Sequence, residues 1–332
     1  MNQWILPMVG ERVFVNDVAL RDGFQIEPVF VPTDDKVKLA NGLARTGLHK
    51  IEVTSFTSAQ AIPALRDAEA VMRQIQRVPG VTYVALVLNA RGAERALACE
   101  VDEINLVVSA SETHNLCNTR MTRAQSLQVL RAIVEQVRGK MAVNISVSTA
   151  FGCPMEGPVA PQEVLAIGDA FVSLGVNGIT LCDTTGMANP AQVYQSCQGL
   201  RERWSKTAVT LHFHNTRGMG LANVLAGLAA GVRHFDASLG GLGGCPFAPG
   251  ASGNICTEDL VHMLQNMGYD TGVDLSALLA CARGLPSLVG HGVPGQLLMA
   301  GPSDRHYPVP ADFNDTLTRA QERDAQSAGA RA

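Results

Sequence analysis

Eight short, strongly apolar runs alternate with amphipathic segments along the chain, and this alternation constrains the fold more than any other feature. The runs are rich in β-branched residues and almost continuously apolar, which is typical of parallel strands buried on both faces. Strands are predicted at 12–19, 49–55, 81–88, 101–109, 141–149, 176–182, 207–213 and 232–238. Helices are predicted at 33–46, 64–76, 91–98, 122–138, 161–174, 190–204, 219–230, 257–267 and 274–284.

Eight strand–helix units with short connections predict an α/β fold, a (β/α)8 TIM barrel. An open doubly wound sheet would normally use fewer strands and place a G-x-G-x-x-G phosphate motif after the first, where this sequence has none. The catalytic barrel is expected to span residues 1–290, and residues 291–332 are expected to form a short helical extension or tail. Thr33 and Thr257 precede acidic residues and are expected to cap their helices.

The composition excludes several classes of protein. Lys and Arg total 26 against 30 Asp and Glu, so the basic footprint of a nucleic-acid-binding protein is missing. Hydrophobic residues make up 46% of the chain, which allows a large core and excludes extensive disorder. No apolar run approaches the ~20 residues of a membrane span, and the N-terminal sequence is unlike a signal peptide. The eight cysteines form no C-x-x-C pair, so a reduced, cytoplasmic chain is expected.

The ends of the strands carry the polar residues that can do chemistry, because reactive groups of a barrel cluster at the C-terminal ends of its strands. Arg21 and Asp22 follow the first strand, and Glu52 lies within the second. Arg21 and Asp22 can also be read as an ion pair closing the barrel end, and Glu52 as a brace for Arg21. Asp183 ends the sixth strand and can equally be a turn residue that caps the Thr-Thr-Gly corner.

His212 and His214 give the most specific signal. Alternate residues of a strand point to the same face, so both imidazoles can converge on one point. This pattern favours a divalent-metal pair over two structural histidines. In a closed barrel the first strand is next to the eighth, so Asp22 can add a carboxylate, and Asn254 can add an amide oxygen. A nitrogen and oxygen ligand set without thiolate suits Mg²⁺ or Mn²⁺.

Cys245 lies in the glycine-rich loop 240–254, after the eighth strand. So much glycine carries a conformational-entropy cost that a simple connector would not need. The loop is therefore interpreted as a mobile lid that carries a reactive thiol. The other cysteines lie mostly on strand or helix patterns and are expected to be packing groups.

Six segments resemble the 3-hydroxy-3-methylglutaryl-CoA lyase family, which is related to the isopropylmalate and homocitrate synthases. The resemblance runs in order from about residue 12 to 275. The Arg-Asp-Gly and His-x-His pieces are shared with the synthases, whereas the Cys-bearing glycine loop is specific to the lyases. The segments are VALRDGFQIEP (18–28), IEVTSF (51–56), AFGCPMEG (150–157), CDTTGMANP (182–190), LHFHNTRGMGLAN (211–223) and GLGGCPFAPGASGNICTEDLVHML (241–264).

The resemblance implies a retro-Claisen cleavage of a coenzyme A thioester to acetyl-CoA and a keto acid, acetoacetate in the parent reaction of leucine degradation and ketone-body formation. It implies that Asp22, His212, His214 and Asn254 bind the metal, and that Arg21 stabilises the enolate oxygen. The base would be His212 or a water molecule oriented by Asp22, and Cys245 would return the proton to carbon. Glu52 and Asp183 would order the ligands, and Gln25 would line the site.

The chain departs from the family pattern at Leu20, Ile26, Asn215 and Arg217. Arg217 is expected to bind a substrate carboxylate or the phosphates of coenzyme A, unless it is a solvated residue at a helix start. Three alternatives stay open: a lyase for another 3-hydroxyacyl-CoA or a citramalyl-type thioester, a synthase, and a non-enzymatic binding barrel. The protein is expected to form a homo-oligomer, a dimer, without nucleic-acid or membrane partners.

Overall fold

A computed structural model describes residues 10–244 and 253–329, in which eight parallel strands close into a barrel. Each strand pairs with the next along the chain, and β1 pairs with β8, so the predicted (β/α)8 barrel is confirmed. The strands are β1 (Phe14–Asp17), β2 (Lys50–Ser55), β3 (Thr82–Val87), β4 (Glu103–Ser109), β5 (Ala142–Ser148), β6 (Gly178–Asp183), β7 (Ala208–Phe213) and β8 (His234–Ala237).

Helices surround the barrel, and their buried apolar residues pack on the outer faces of the strands. They are α1 (Thr33–Ala44), α2 (Ala68–Gln74), α3 (Ala90–Ala98), α4 (Glu112–Thr119), α5 (Arg123–Val137), α6 (Pro161–Val172), α7 (Pro190–Cys197), α8 (Leu200–Arg203), α9 (Gly220–Ala229), α10 (Thr257–Asn266), α11 (Leu275–Ala282) and α12 (Leu285–Val289). Two more helices follow along the chain, α13 (Gln296–Ala300) and α14 (Phe313–Gly329).

The inside of the barrel is polar. Lys50 of β2 donates to the carboxylate of Glu103 of β4 at 2.6 Å, and Asn144 of β5 donates to Asn105 of β4 at 3.0 Å. Buried polar groups require such partners, because each unpaired one costs about 1–3 kcal/mol. The interior is therefore a connected network that leads up to the C-terminal ends of the strands.

The first strand is shorter than the sequence predicted, with a consequence for the site. β1 ends at Asp17, and residues Ala19–Gly23 form a short π-helical turn. Backbone N–H groups of Arg21, Asp22 and Gly23 all reach the carbonyl of Val18. Arg21 and Asp22 are thus held by a tight turn above the strand and do not end the strand itself. Such turns are frequent at functional sites.

Both predicted threonine caps are wrong. Pro32 precedes α1 and makes no side-chain cap, while the Thr33 hydroxyl donates to Asp67 at 2.8 Å. Cys256 precedes α10, and the Thr257 hydroxyl donates to buried Asp17 at 2.7 Å. In both cases the hydroxyl donates to a carboxylate that is distant in sequence, and it does not cap the helix as the local pattern had predicted.

Several helices differ from the sequence prediction. The predicted helix 190–204 is divided into α7 and α8 at Gly199, whose φ of 79° interrupts the helix. α4, α12 and α13 were not predicted. Ser111 precedes α4 and caps it, because its side chain accepts the backbone N–H of His114. This cap was not predicted from the sequence.

The chain divides into two compact units, one ending at Met299 and the second beginning at Ala300. The second unit contains α14 and confirms helical structure after the barrel. The expected division into residues 1–290 and 291–332 stays a prediction. Within the described ranges, no helix is both long and apolar enough to cross a membrane.

Candidate active site

Three potential metal ligands meet at the C-terminal end of the barrel. His212 is the penultimate residue of β7, and its imidazole Nε2 lies 3.3 Å from Nε2 of His214. His214 Nε2 lies 3.9 Å from Asp22 Oδ2. One ligand atom from each of the three residues lies within 4.8 Å of the others. Asn254 joins the group by donating from Nδ2 to Asp22 Oδ2 at 2.7 Å, and all four side chains are buried.

The chemistry of these groups fits a divalent cation. Among the described residues, neither Nδ1 of His214 nor Oδ1 of Asn254 has a hydrogen-bond partner, although both atoms are buried. Burial and the neighbouring His212 lower the pKa of His214 to about 4, so its imidazole is neutral near pH 7. Burial would raise the pKa of Asp22, but Arg21 and the two histidines outweigh it and lower it to about 2. A neutral His214 imidazole beside an ionised carboxylate matches the protonation states that metal ligation requires.

Gly243 closes over this cluster and has room for no side chain. Its φ is +105°, and a Cβ there would lie 2.5 Å from Nδ2 of Asn254 and 3.1 Å from Oδ2 of Asp22. The glycine backbone therefore approaches the ligand atoms more closely than any other residue type could.

Asp236 of β8 orients His212 and was not identified from the sequence. Its Oδ2 lies 3.3 Å from Nδ1 of His212, and its Oδ1 accepts Nδ2 of Asn16 at 2.8 Å. Burial alone would lower the pKa of His212, but the hydrogen bond and charge of Asp236 raise it. With Nδ1 held by the carboxylate, Nε2 is the ring nitrogen left to face the cluster. A carboxylate within the predicted strand 232–238 was the available signal.

Arg21 is held in the cavity by two carboxylates. Its Nε donates to Glu52 Oε2 at 2.7 Å, and its Nη1 pairs with Asp22. Oε1 of Glu52 accepts Nδ2 of Asn105 at 3.1 Å, which ties the arginine to the polar interior of the barrel. Burial would lower the pKa of Arg21, but Glu52 and Asp22 raise it, so the guanidinium stays charged. The brace proposed for Glu52 and the ion pair proposed for Arg21 and Asp22 therefore both exist.

A cavity of about 810 Å³ opens beside the cluster. Arg21, Asp22, His212 and His214 form part of its wall, and it extends past β3 and β4 to the end of α4. A volume of this size falls in the range of small-molecule sites.

The remaining predicted site residues differ in whether they line this cavity. Gln25 lines it and donates to Asp22 Oδ1 at 3.2 Å. Asp183 does not line it; its Oδ1 accepts the backbone N–H of Met187 at 2.7 Å and of Ala188 at 3.1 Å, as the turn interpretation had it. Burial raises the pKa of Asp183 to about 6. Cys245 lies outside the described residues.

Arg217 contacts the loop after β6. It is exposed and is absent from the described lining of the cavity. Its Nη1 donates to the carbonyl oxygens of Thr185 at 2.9 Å and Gly186 at 2.8 Å, so it fastens the loop after β6. Arg217 is therefore not a purely solvated residue, and its predicted contact with a substrate carboxylate or phosphate stays a prediction.

Comparison with known proteins identifies relatives over most of the chain. The HMGL-like family matches residues 12–284. A hydroxymethylglutaryl-CoA lyase of Bacillus subtilis is 43% identical over 87% of this chain and 97% of its own length. An (R)-citramalyl-CoA lyase of Chloroflexus aurantiacus is 40% identical over 88% of this chain and 96% of its own. An HMG-CoA lyase from Acinetobacter baumannii, solved with coenzyme A and 3-methylmalate, is 51% identical, has a TM-score of 0.87 and covers 90% of this chain and 98% of its own.

Proposed function

Because the chain belongs to the HMGL-like family and is a hydroxymethylglutaryl-CoA lyase-like lyase, we propose that it cleaves 3-hydroxy-3-methylglutaryl-CoA or a close analogue, with a divalent cation, to acetyl-CoA and a keto acid. One observation carries the proposal. Asp22, His212 and His214 offer ligand atoms within 4.8 Å of one another at the wall of a cavity that also contains Arg21.

Asp22, His212, His214 and Asn254 would hold Mg²⁺ or Mn²⁺. A bound divalent cation supplies Lewis-acid polarisation of substrate oxygens, which lowers the pKa of the tertiary hydroxyl. The ligand set contains carboxylate, amide and imidazole groups, and none of its four members is a thiolate. Such a set suits Mg²⁺ or Mn²⁺. Protein groups then have two tasks: they stabilise the charge that develops on the leaving fragment, and they move two protons.

Arg21 performs the first task. When the carbon–carbon bond breaks, its electron pair passes to the acetyl-CoA fragment, and the negative charge of the enolate rests on the thioester oxygen. Glu52 and Asp22 fix the guanidinium before the reaction, so no reorganisation is needed as the charge forms. Fixed donors of this kind are worth about 2.7–4 kcal/mol in barrier height.

Water is a better acceptor for the hydroxyl proton than His212. Nδ1 of His212 faces Asp236 and Nε2 faces His214, so a His212 that ligates a cation has no ring nitrogen free to accept a proton. A water molecule oriented by Asp22 is therefore the acceptor we favour. Cys245 is proposed to protonate the enolate carbon, because it lies in the glycine-rich loop 240–254, whose Gly243 is next to the ligand cluster.

A second substrate is supported by a specific observation, the 40% identity to a citramalyl-CoA lyase. Citramalyl-CoA has one methylene fewer than 3-hydroxy-3-methylglutaryl-CoA between the tertiary carbon and the free carboxylate. The same cleavage would then give acetyl-CoA and pyruvate. A single methylene is worth only about 1–3 kcal/mol of discrimination in a pocket, so the two activities can coexist.

The test is a product assay with purified protein, Mg²⁺ and the two thioesters in parallel. Formation of acetyl-CoA with an equal amount of acetoacetate or of pyruvate supports the lyase and identifies the acyl group. Arg21→Lys is the matched variant, because it keeps the positive charge but loses the bidentate fork that Glu52 and Asp22 hold. Absence of keto acid from both thioesters, with metal bound, would refute the proposal.

A further inference from the structure

Arg120 is the one charged residue of the described cavity lining whose charge is not compensated. Apart from the imidazoles, that lining contains three charged side chains, those of Arg21, Asp22 and Arg120. Arg21 is neutralised by Asp22 and Glu52. Within the described ranges, the guanidinium of Arg120 has no hydrogen-bond or ion-pair partner.

The nearby Arg123 shows that the arginines of this segment do not all lack a partner. Its guanidinium pairs with Glu163 at 2.8 Å and with Glu112 at 3.4 Å, and it also donates to the carbonyl of Ala110. Acidic residues are thus available beside α4, yet they are used by Arg123 and not by Arg120. Arg120 is an exposed residue of the cavity lining, so the five N–H donors of its guanidinium are available to a ligand.

The backbone of Arg120 is held in a fixed and unusual conformation. It follows α4 with φ 61° and ψ 22°, a left-handed conformation, and its N–H donates to the carbonyl of Leu116. Buried Asn115 fixes both sides of it. The Thr119 hydroxyl donates to the Asn115 carbonyl at 2.8 Å, and Asn115 Nδ2 donates to the Met121 carbonyl at 2.8 Å. The backbone that carries the guanidinium is therefore fixed before a ligand binds, which limits the conformational entropy lost on binding.

Arg120 lies on the opposite side of the barrel from the proposed metal-ligand cluster. Arg120 follows β4, whereas the cluster is built on the turn after β1, on β7 and on the segment after β8. In the closed order of eight strands, β4 is four strands away from β8. A ligand whose reacting carbon lies at Asp22 and His212 would extend across the cavity before it reaches Arg120.

We propose that Arg120 binds an anionic oxygen group of the thioester substrate, remote from the carbon–carbon bond that breaks. The inference rests on the proposed lyase function. Two groups have the required chemistry: the free carboxylate of the acyl chain and the phosphates of coenzyme A, both of which accept charge-assisted bonds from arginine. The sequence predicts the same kind of contact for Arg217, and that contact stays a prediction.

The test compares Arg120→Asn with Arg120→Lys. Asn removes the charge and is the side chain that best tolerates the left-handed backbone, whereas Lys keeps the charge. Arg91→Ala is the matched control, since Arg91 is an exposed arginine on α3 outside the described cavity lining and its loss changes the net charge equally. Each protein is assayed with 3-hydroxy-3-methylglutaryl-CoA, with its carboxylate methyl ester, and with the corresponding pantetheine thioester, which has no phosphate.

Arg120→Asn should lower kcat/KM for the full thioester by about tenfold or more, while Arg120→Lys retains most of it and Arg91→Ala stays near wild type. If the effect of Arg120→Asn disappears with the methyl ester, Arg120 binds the carboxylate; if it disappears with the pantetheine thioester, Arg120 binds phosphate. Either result supports the proposal. An equal loss on all three substrates, or a lower melting temperature with unchanged kinetics, would overturn it and leave Arg120 as a residue that ends α4.

Binding measurements separate this proposal from the lyase assignment. Calorimetric titration with free coenzyme A and with 3-hydroxy-3-methylglutarate needs no turnover. A wild-type protein that cleaves none of the thioesters refutes the proposed function, but a tenfold weaker binding of either ligand by Arg120→Asn would still support the anion site. Equal affinities of wild type and Arg120→Asn for both ligands would overturn it.

Discussion

Asp236→Asn is expected to weaken divalent-metal binding, although Asp236 is not itself placed as a ligand. The Asn16 amide donates to Oδ1 of residue 236 at 2.8 Å, so an asparagine there would keep its carbonyl oxygen toward Asn16. Its NH₂ group would then face Nδ1 of His212 and donate to it. That contact moves the imidazole proton to Nε2, the atom that faces His214, and a protonated Nε2 cannot ligate.

The expected loss is about 10–100-fold in Mn²⁺ affinity, or about 1.4–2.7 kcal/mol, the range for losing a carboxylate that orients a ligand histidine. Titration with Mn²⁺ measures it directly, and kcat at saturating metal shows whether chemistry is affected as well. The double variant Asn16→Ala with Asp236→Asn is the control, because the amide of residue 236 can then rotate and present its oxygen to His212. Recovery of part of the affinity is expected. A Kd for Mn²⁺ in Asp236→Asn within twofold of wild type would refute the reasoning.

Four further changes test the site and the barrel. His214→Ala should abolish metal binding and activity together while the circular dichroism spectrum is kept; full activity after chelation without added metal would contradict the metal site. Gly243→Ala should lower Mn²⁺ affinity because its Cβ would lie 2.5 Å from a ligand amide, whereas Gly175→Ala, with φ +82° and nothing within 4 Å, should leave it unchanged. Cys245→Ala should lower kcat by about 10²-fold or more with little change in melting temperature, as for a lost proton donor, and normal turnover with a lower melting temperature would make the cysteine structural. Burial lowers the pKa of His234 from 6.5 to about 4, so the unfolded chain binds more protons between those values and stability falls as pH falls through them. His234→Phe should flatten this decline in denaturant midpoints measured between pH 7 and pH 5, and an unchanged slope would show that His234 does not titrate in this way.

The fold could be predicted because parallel strands buried on both faces give a signal that needs no tertiary information. β5 and β7 lie within one residue of their predicted bounds at each end for this reason. The errors concern groups whose partners are distant in sequence. Thr257 looked like a cap, but its hydroxyl bonds to Asp17, which lies 240 residues away. No local pattern contains that partner.

The sequence predicted which proposed ligands come together, but it did not predict the groups that support them. Asp22, His212, His214 and Asn254 lie at the ends of elements, where barrel topology brings side chains together. The π-helical turn that carries Asp22 was missed because an apolar segment running past Asp17 is equally compatible with a longer strand. Asp236 was missed since its role depends on register with β7, where it pairs with His212.

The two arginines show why distance along the chain is a poor guide to specificity. Arg217 is three residues from a proposed metal ligand, yet it is absent from the described cavity lining, and its guanidinium donates to two carbonyl oxygens of the loop after β6. Arg120 is 94 residues from the same proposed ligand, His214, counted along the printed sequence, yet it lines the same cavity. A barrel places the loops of distant strands around one mouth, so a ligand there contacts several of them at once. The proposed metal ligands can therefore stay the same, while a turn on the opposite side of the barrel determines which anionic group is recognised.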